Sequence, residues 1–180
     1  MPADISYTNG QQCFRYQVAA IIIEEAVCFI QNTTEDYAYS VGGAVQFGET
    51  TEETVLREII EETGQQYAID HLVCLHENFF SNSSGVLTGL DCHEICLYYL
   101  MKSKGKQFQN QIGNEQVYWI PIQELENYKI FPNFIPHILN ELNSGVQHII
   151  TRNIDSGVQH IITRNIDSGV QHIITRNIEQ

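Results

Sequence analysis

Apolar residues along this chain follow two different spacings, and the spacing separates predicted strands from predicted helices. Runs rich in β-branched and aromatic residues are typical of strands, and polar or glycine-rich segments separate them. The strands predicted in this way cover residues 14–23, 27–31, 37–41, 72–80, 93–101 and 117–120. Helical spacing marks three other segments, at 50–64, 122–128 and 132–143. Strands that precede and follow helices predict an α/β fold, with a mixed β-sheet between helical layers.

The best specified helix begins after Thr50 and ends at Gly64. Thr50 and Glu53 match a capping box, in which the two residues satisfy each other's free backbone donors. Gly64 is a typical C-terminal stop, because glycine adopts the left-handed conformation at little cost. Val55 and Ile59 recur at helical spacing. One face of this helix is therefore predicted to pack against the core.

The other face of the same helix is acidic. Glu58 and Glu62 are one helical turn apart, and Glu61 lies three residues from Glu58. Like charges at this spacing destabilise a helix by roughly 0.2–0.5 kcal/mol per pair. We expect a cation to compensate, and clustered carboxylates suit a hard divalent ion such as Mg²⁺. Three acids on an ordinary solvent-exposed helix are the alternative, and the acids alone do not decide between the two.

The stretch from Gly43 to Gln65, GAVQFGETTEETVLREIIEETGQ, resembles the Nudix box. That motif is a glycine, five residues, a glutamate, seven residues, and then Arg-Glu-apolar-x-Glu-Glu-x-Gly-apolar. The matching positions hold Gly43, Glu49, Arg57, Glu58, Ile59, Glu61, Glu62 and Gly64. Gln65 departs from the motif, which has an apolar residue there, and the departure concerns packing more than chemistry. The match at eight fixed positions makes a chance resemblance improbable.

The resemblance implies a Nudix-type α/β/α sandwich and hydrolysis of a diphosphate linkage with Mg²⁺, or with Mn²⁺ in its place. Such hydrolysis needs cations to neutralise the phosphates and a base to activate water. On this basis Glu58 and Glu62 are the expected direct metal ligands, and Glu61 completes the site or orients the water. Glu49 is a weaker candidate for a second metal, and the carbonyl of Gly43 is expected to reach the metal.

Arg57 completes the predicted catalytic group with Glu58 and Glu61. We expect its guanidinium to pair with a glutamate of the box and hold it in place, rather than to touch the substrate. The general base stays open, since the family does not always take it from the box.

Five residues outside the box are weaker candidates for contact with the substrate. Glu115 precedes the strand at 117–120, near where some family members place another ligand or base. Glu94 lies in an apolar strand, where an unpaired buried carboxylate is costly. Phe79 and Phe80 are candidates for stacking on a nucleobase, and Arg15 is a candidate for phosphate contact. For each of them a core aromatic or an ordinary surface charge is the alternative.

Composition limits the class of partner. The chain has 180 residues and a formal net charge of -13, which argues against broad binding to nucleic-acid backbones but allows a small nucleotide bridged by metal. No apolar run reaches the ~18 residues of a membrane span, and the polar N-terminus does not look like a signal peptide. Five cysteines without a CxxC pair predict reduced thiols in a cytoplasmic protein.

A 12-residue segment, SGVQHIITRNID at 144–155, recurs at 156–167 and 168–179 with one change, Glu179. Its β-branched run favours a C-terminal triple repeat of strands, although helical spacing also fits. We expect one Nudix-like domain at 1–155 and a tail of duplicated copies at 156–180. Repeated strands expose edges that pair readily, which predicts a route to a homo-oligomer; a duplication without function is the alternative.

Two classes of function remain. The first is a Mg²⁺-dependent pyrophosphohydrolase that cleaves a nucleoside diphosphate linked to another moiety, such as a nucleoside triphosphate or ADP-ribose. The second is a non-catalytic sensor of a nucleotide or ADP-ribose on the same fold. Because all the glutamates of the box are retained, we expect the enzyme. The sequence does not identify its substrate, since a fold does not fix one.

Overall fold

The computed structural model describes residues 2–81, 87–153, 158–165 and 171–177, and after Arg152 it describes the backbone alone. The strands of these residues are β1 (Ser6–Asn9), β2 (Gln12–Ile21), β3 (Ala26–Asn32), β4 (Ala38–Tyr39), β5 (Gly42–Ala44), β6 (Ile69–Ser81), β7 (Asp91–Met101), β8 (Gln111–Ile112), β9 (Glu115–Pro121), β10 (Ile130–Phe131), β11 (Gln147–Asn153), β12 (Val158–Asn165) and β13 (Gln171–Asn177). The α-helices are α1 (Thr51–Thr63) and α2 (Ile135–Ile138), and short 3₁₀ helices cover Ile122–Asn127 and Leu139–Glu141.

The strands form two mixed sheets. The first has the order β1-β2-β7-β6-β11-β12-β13, with β5 also paired to β2, and the second has the order β10-β4-β3-β9-β8. The first sheet contains parallel pairs, β2 with β7 and β6 with β11, as does the second, β4 with β10. The predicted mixed α/β fold is confirmed, but the expectation of a single sheet is corrected to two.

The second sheet follows from the burial of β3 on both faces. Every residue from Ala26 to Ile30 is buried, and successive side chains of a strand point to opposite faces. Phe29 accordingly packs in one core cluster, with Tyr98 and Phe134, and Ile30 in another. A continuous apolar run signals a strand buried on both sides, but it does not show which sheet contains the strand.

Helix α1 has the boundaries that the sequence predicts. The Thr50 hydroxyl accepts from the Glu53 N–H at 3.2 Å, and the Glu53 carboxylate accepts from the Thr50 N–H at 2.8 Å. Gly64 is left-handed, with φ 68°, and its N–H donates to the Ile60 carbonyl. Val55 and Ile59 are fully buried in the core cluster that also contains Val18 and Ile30. The acidic face is thereby held toward β5.

One prediction of secondary structure is corrected, and one strand was not predicted. The helix expected at 132–143 is reduced to the four residues of α2 and a 3₁₀ turn. It begins only at Ile135, so that Pro136 lies in its first turn, where a missing N–H is tolerated. Its apolar face is nevertheless buried, with Phe134 and Ile135 each 1% exposed. The polar segment Ser6–Asn9 forms β1, whose residues are all exposed. Backbone pairing with β2 creates this strand, so its side chains carry no apolar pattern.

The first copy of the repeat is part of the first sheet. It forms β11, which runs parallel to β6 and buries Ile149 and Thr151. The backbone described for the next two copies continues the sheet as β12 and β13. Parts of the repeats, at 154–157, 166–170 and 178–180, lie outside the described residues. The complete triple repeat of strands and the separate tail at 156–180 therefore stay predictions.

No helix in the described part of the chain has both the length and the apolar character needed to cross a membrane. All five cysteines are buried and free, which agrees with the reduced thiols predicted from their spacing.

Candidate active site

The acidic face of α1 lies against the glycines of β5. Gly43 pairs with Val18 at the edge of β2, and a Cβ atom at position 43 would overlap the carboxylate of Glu58. The neighbouring Gly42 donates its N–H to the Glu62 carboxylate at 2.9 Å. Glycine at position 43 lets the backbone approach Glu58 closely, whereas a Cβ atom at position 42 would overlap the backbone of Val18 and Ala19. The structure thus brings the predicted ligands Glu58, Glu62 and Gly43 together.

Arg57 donates hydrogen bonds to three acidic residues of this region, Glu49, Glu58 and Glu61. Its Nε and Nη2 donate to the two carboxylate oxygens of Glu49 at 2.9 and 3.0 Å. Its Nη1 donates to Glu58 at 2.6 Å and to Glu61 at 3.1 Å, and Nη2 also reaches the Ala44 carbonyl at 3.2 Å. These hydrogen bonds raise the pKa of Arg57 and, together with the one from Thr54, lower the pKa of Glu49. Arg57 therefore fixes carboxylates, which is the positioning role expected for it.

Glu62 and Glu58 are the two acids of this site whose burial is not offset by their hydrogen bonds, so both have raised pKa values. Burial and, to a smaller extent, the charges of Glu58, Glu115 and Glu61 raise the pKa of Glu62 to about 8, although the hydrogen bond from Gly42 lowers it. Burial also raises the pKa of Glu58, despite its contact with Arg57. A bound cation would relieve both effects, because it favours the ionised carboxylates.

The donor atoms at this site suit a hard divalent ion. Glu58, Glu62, Glu61 and the Gly43 carbonyl offer oxygen ligands only, as Mg²⁺ prefers. Among the residues that the structure describes, no three His, Cys, Asp or Glu side chains are close enough to enclose a metal. That arrangement still fits Mg²⁺, which keeps several of its waters and is commonly bound through one or two carboxylates. The residues present therefore fit the ion that the motif implies.

Glu115 joins the site from the second sheet. Its charge contributes to the raised pKa of Glu62, and the Tyr39 hydroxyl donates to its Oε1 at 2.8 Å. Sequence reasoning missed Tyr39, although its position four residues before Gly43 in a predicted strand was an available signal. It also missed Asp4, whose charge raises the pKa of Glu58. Asp4 lies in a polar N-terminal segment that carries no pattern.

The other weak candidates lie farther along the first sheet. Arg15 and Glu94 face each other on β2 and β7 and form an ion pair of 2.8 Å. Burial raises the pKa of Glu94, and the charge of Arg15 opposes that effect. The pair gives each residue a structural partner, so contact with the substrate stays a prediction for both. Phe79 and Phe80 line a cavity that none of the glutamates of the box lines.

Comparison with known proteins is consistent with this geometry. The family model described as NUDIX domain matches residues 14–142. A curated relative, the putative mutator protein MutT4 of Mycobacterium tuberculosis (strain CDC 1551 / Oshkosh), is 31% identical over 84 residues. That match covers 46% of this chain, and the chain spans only 32% of the relative's length.

Solved structures with the same fold include two proteins named MutT. The one from Bacillus halodurans has a TM-score of 0.61 at 14% identity, and the match covers 92% of this chain and 99% of that one. The one from Methanosarcina mazei Go1 has a TM-score of 0.55 at 15% identity, with 76% and 97% covered. At these identities the likeness concerns the fold alone.

Proposed function

Because this chain belongs to the NUDIX domain family, we propose that it is a Mg²⁺-dependent pyrophosphohydrolase. Its substrate is a nucleoside diphosphate linked to another moiety, such as a nucleoside triphosphate or ADP-ribose. Mn²⁺ is expected to replace Mg²⁺, since both are bound by carboxylate, carbonyl and water oxygens.

One observation supports this proposal most directly. Glu58 and Glu62 are packed against the backbone of Gly43 and Gly42, and both have raised pKa values. Such a pair is unfavourable alone, because burial and like charge both oppose ionisation. A bound divalent cation would favour the ionised form of both carboxylates and so offset the cost of burying them side by side.

The roles of the side chains follow from their contacts. Glu58, Glu62 and the Gly43 carbonyl would hold the ion, which when bound neutralises the phosphates and activates water. Arg57 fixes Glu58 and Glu61 in position. Glu61 is 59% exposed on the same face, so its carboxylate is available to orient the attacking water or accept its proton.

Two further acids have supporting roles in this proposal. Both oxygens of Glu49 accept hydrogen bonds from Arg57, so Glu49 positions Arg57 and is the weaker candidate for contact with a second metal or its waters. Glu115 is held by Tyr39 on the side of Glu62, and it is the candidate base outside the box.

A metal-supplemented screen with product identification tests the function. The intact chain is incubated with Mg²⁺ and a panel of nucleoside diphosphate derivatives, and the products show which phosphate bond is broken. The double variant Glu58→Gln/Glu62→Gln should abolish turnover. Glu52→Gln is the matched control, because Glu52 is an exposed acid in the first turn of the same helix.

Each result of the screen has a distinct meaning. Undiminished turnover in the double variant would reject the metal ligands proposed here. Nucleotide binding without turnover across the panel would show that the protein is a non-catalytic sensor rather than a hydrolase.

The cytoplasmic location of the protein stays a prediction.

The repeat tail is treated separately. We propose that 156–180 is an appended unit outside the NUDIX domain, and that any homo-oligomer forms through its strand edges. Deleting 156–180 and measuring the mass in solution tests this, and an unchanged number of subunits would reject the tail as an oligomer contact.

A further inference from the structure

Two cysteines face each other on neighbouring strands of the first sheet. Cys13 is the second residue of β2 and Cys92 is the second residue of β7, and the parallel register of the two strands places them directly opposite each other. Residues in this relationship point to the same face of a sheet. The two thiols are accordingly in hydrogen-bonding contact. The hydrolase chemistry proposed above uses neither of them.

The spacing of this pair suits a disulfide bond. Neighbouring strands lie about 4.7–4.9 Å apart, which is within the range of roughly 4.4–6.8 Å that separates the Cα atoms of disulfide-bonded cysteines. Cys74 and Cys96 provide a contrast, because Cys74 is opposite Tyr98 and therefore only diagonal to Cys96. A diagonal pair is separated by roughly 7–8 Å, which is beyond the usual range for a disulfide.

The same two thiols are within reach of small molecules. Cys13 is 6% exposed and Cys92 is 4% exposed, but both line the cavity of about 630 Å³ to which Phe80 also belongs. On the side of Cys13 the sheet ends with β1, whose residues are all exposed. The other three cysteines, which all lie in the described part of the chain, are buried elsewhere and do not line this cavity.

The surroundings of Cys92 keep it mainly in the thiol form. Burial raises the pKa of Cys92 to about 11, and the charge and hydrogen bond of Cys13 add to this effect, whereas the charge of Arg15 opposes it. Because the thiolate and not the thiol is the nucleophile, Cys92 reacts slowly at neutral pH. Its reactivity should therefore increase as the pH rises toward this pKa.

We propose that Cys13 and Cys92 form an oxidation site, which hydrogen peroxide converts into a reversible disulfide between β2 and β7. One thiolate attacks a peroxide oxygen, the O–O bond breaks, and the hydroxide that leaves takes up a proton and becomes water. The product is a sulfenic acid, which condenses with a neighbouring thiol. The second sulfur attacks it, the S–S bond forms, the S–O bond breaks, and the departing hydroxide takes the proton of the second thiol.

The balance of this reaction is one peroxide consumed and two waters formed for each disulfide. The two sulfurs together lose two electrons, which the peroxide oxygens gain. An added thiol reverses the reaction by exchange through a mixed disulfide. A neighbouring thiol also protects the first cysteine, because it captures the sulfenic acid before irreversible oxidation to the sulfinic acid.

The test is treatment of the intact chain with hydrogen peroxide at neutral and at mildly alkaline pH, followed by alkylation of the remaining thiols and mass spectrometry of the peptides. Cleavage after Lys, Arg and Glu places Cys13 in the peptide 1–15 and Cys92 in the peptide 78–94, and it separates the other three cysteines from both and from one another. We expect these two peptides to become linked, with the loss of two of the five free thiols. The link should form faster at the alkaline pH, and dithiothreitol should restore both thiols.

Variants of the pair give the complementary result. Cys13→Ala and Cys92→Ala should each abolish the link, and the remaining cysteine should be trapped by dimedone as a sulfenic acid or be oxidised further. Cys28→Ala is the matched control, since Cys28 is a buried cysteine of the second sheet, and it should form the link as the wild type does. Thermal melting shows whether each variant folds.

The peptides of the wild type are sufficient to overturn the inference. Full alkylation of Cys13 and Cys92 after a treatment that converts added free cysteine to cystine would do so. A link from either residue to another cysteine, or a link found only in covalent dimers on a non-reducing gel, would do so as well. This oxidation site goes beyond the proposed hydrolase function, and none of these measurements depends on turnover.

Discussion

Arg57 holds Glu49 by two hydrogen bonds, from Nε to Oε1 at 2.9 Å and from Nη2 to Oε2 at 3.0 Å. This bidentate pairing orients the guanidinium, so that its remaining nitrogen meets Glu58 at 2.6 Å and Glu61 at 3.1 Å. The arginine therefore holds Glu58 and Glu61 of α1 in position relative to Glu49, which precedes the helix. The ammonium group of a lysine cannot form the same bidentate pairing, because it lacks the planar set of N–H donors of a guanidinium.

The first prediction is that Arg57→Lys weakens Mg²⁺ binding and kcat/KM together, by about 10- to 100-fold, as loss of a residue that orients metal ligands usually does. The fold should persist, because Val55 and Ile59 still anchor α1. Metal titration and steady-state kinetics measure the two effects. Lys102→Gln, which removes an exposed charge elsewhere, should change neither. Normal metal affinity in Arg57→Lys would show that the hydrogen bonds of Arg57 are not needed to position the metal ligands.

The second prediction concerns stability and pH in the absence of metal. The folded pKa of Glu62 is about 8 against an ordinary value of 4.5, so between these values the folded state binds the proton that the unfolded chain has released. Stability must fall as pH rises through that window. Thermal melting in chelator should therefore show a steeper decline for the wild type than for Glu62→Gln.

Mg²⁺ should reverse this trend, since the ion binds the ionised carboxylate. Glu52→Gln should behave like the wild type under both conditions. If the melting temperatures of the wild type and of Glu62→Gln changed equally with pH in chelator, the raised pKa of Glu62 would be contradicted.

The third prediction is that Gly43→Ala displaces Glu58, because the added methyl group occupies the position of its carboxylate. We expect kcat/KM to fall by about tenfold or more, the loss typical of a misplaced metal ligand. Glu58→Asp shortens the side chain and should partly relieve the overlap. The two substitutions should therefore be less harmful together than the sum of their separate effects. Strict additivity of the kinetic changes would reject direct contact between the two positions.

The sequence predicts the box helix well because the determinants are local. The Thr50–Glu53 capping box, the Gly64 stop and the spacing of Val55 and Ile59 are all contained in α1 and its flanking residues. The convergence of Glu58 and Glu62 on β5 was predictable only through the motif. The hydrogen bond between Tyr39 and Glu115 was not predicted, because the two residues are 76 positions apart, even though each lies near a predicted strand close to the box.

The two-sheet arrangement and β1 were missed for the same reason. Apolar spacing reports the burial of a strand, but not which strand lies beside it. The strand β1 depends on pairing with the edge of β2, a tertiary interaction that local propensity does not encode. Phe79 likewise meets His93 and Arg152 only through the register of β6 with β7 and β11, so the sequence identified it as an aromatic candidate without these partners.

The last prediction concerns Glu24, which lies between the predicted strands at 14–23 and 27–31. It is 4% exposed, and its carboxylate accepts from the Tyr67 hydroxyl, the Ser103 hydroxyl and the N–H groups of Lys104 and Gly105. Burial raises the pKa of Glu24, but these bonds outweigh it and leave the pKa below 4.5. Its contribution to stability is thus present above pH 4.5 and lost as pH falls through the lower folded value.

Replacing Glu24 by Gln turns one acceptor oxygen into a donor that faces other donors, so at least one buried group loses its partner. We expect Glu24→Gln to lower the free energy of unfolding by about 2–3 kcal/mol, from the cost of unsatisfied buried hydrogen bonds. Urea denaturation at neutral pH measures the change. Glu25→Gln, at the exposed neighbouring position, is the matched control and should be nearly neutral. A similar effect of the two substitutions would mean that the carboxylate of Glu24 does not hold the segment 103–105 in place.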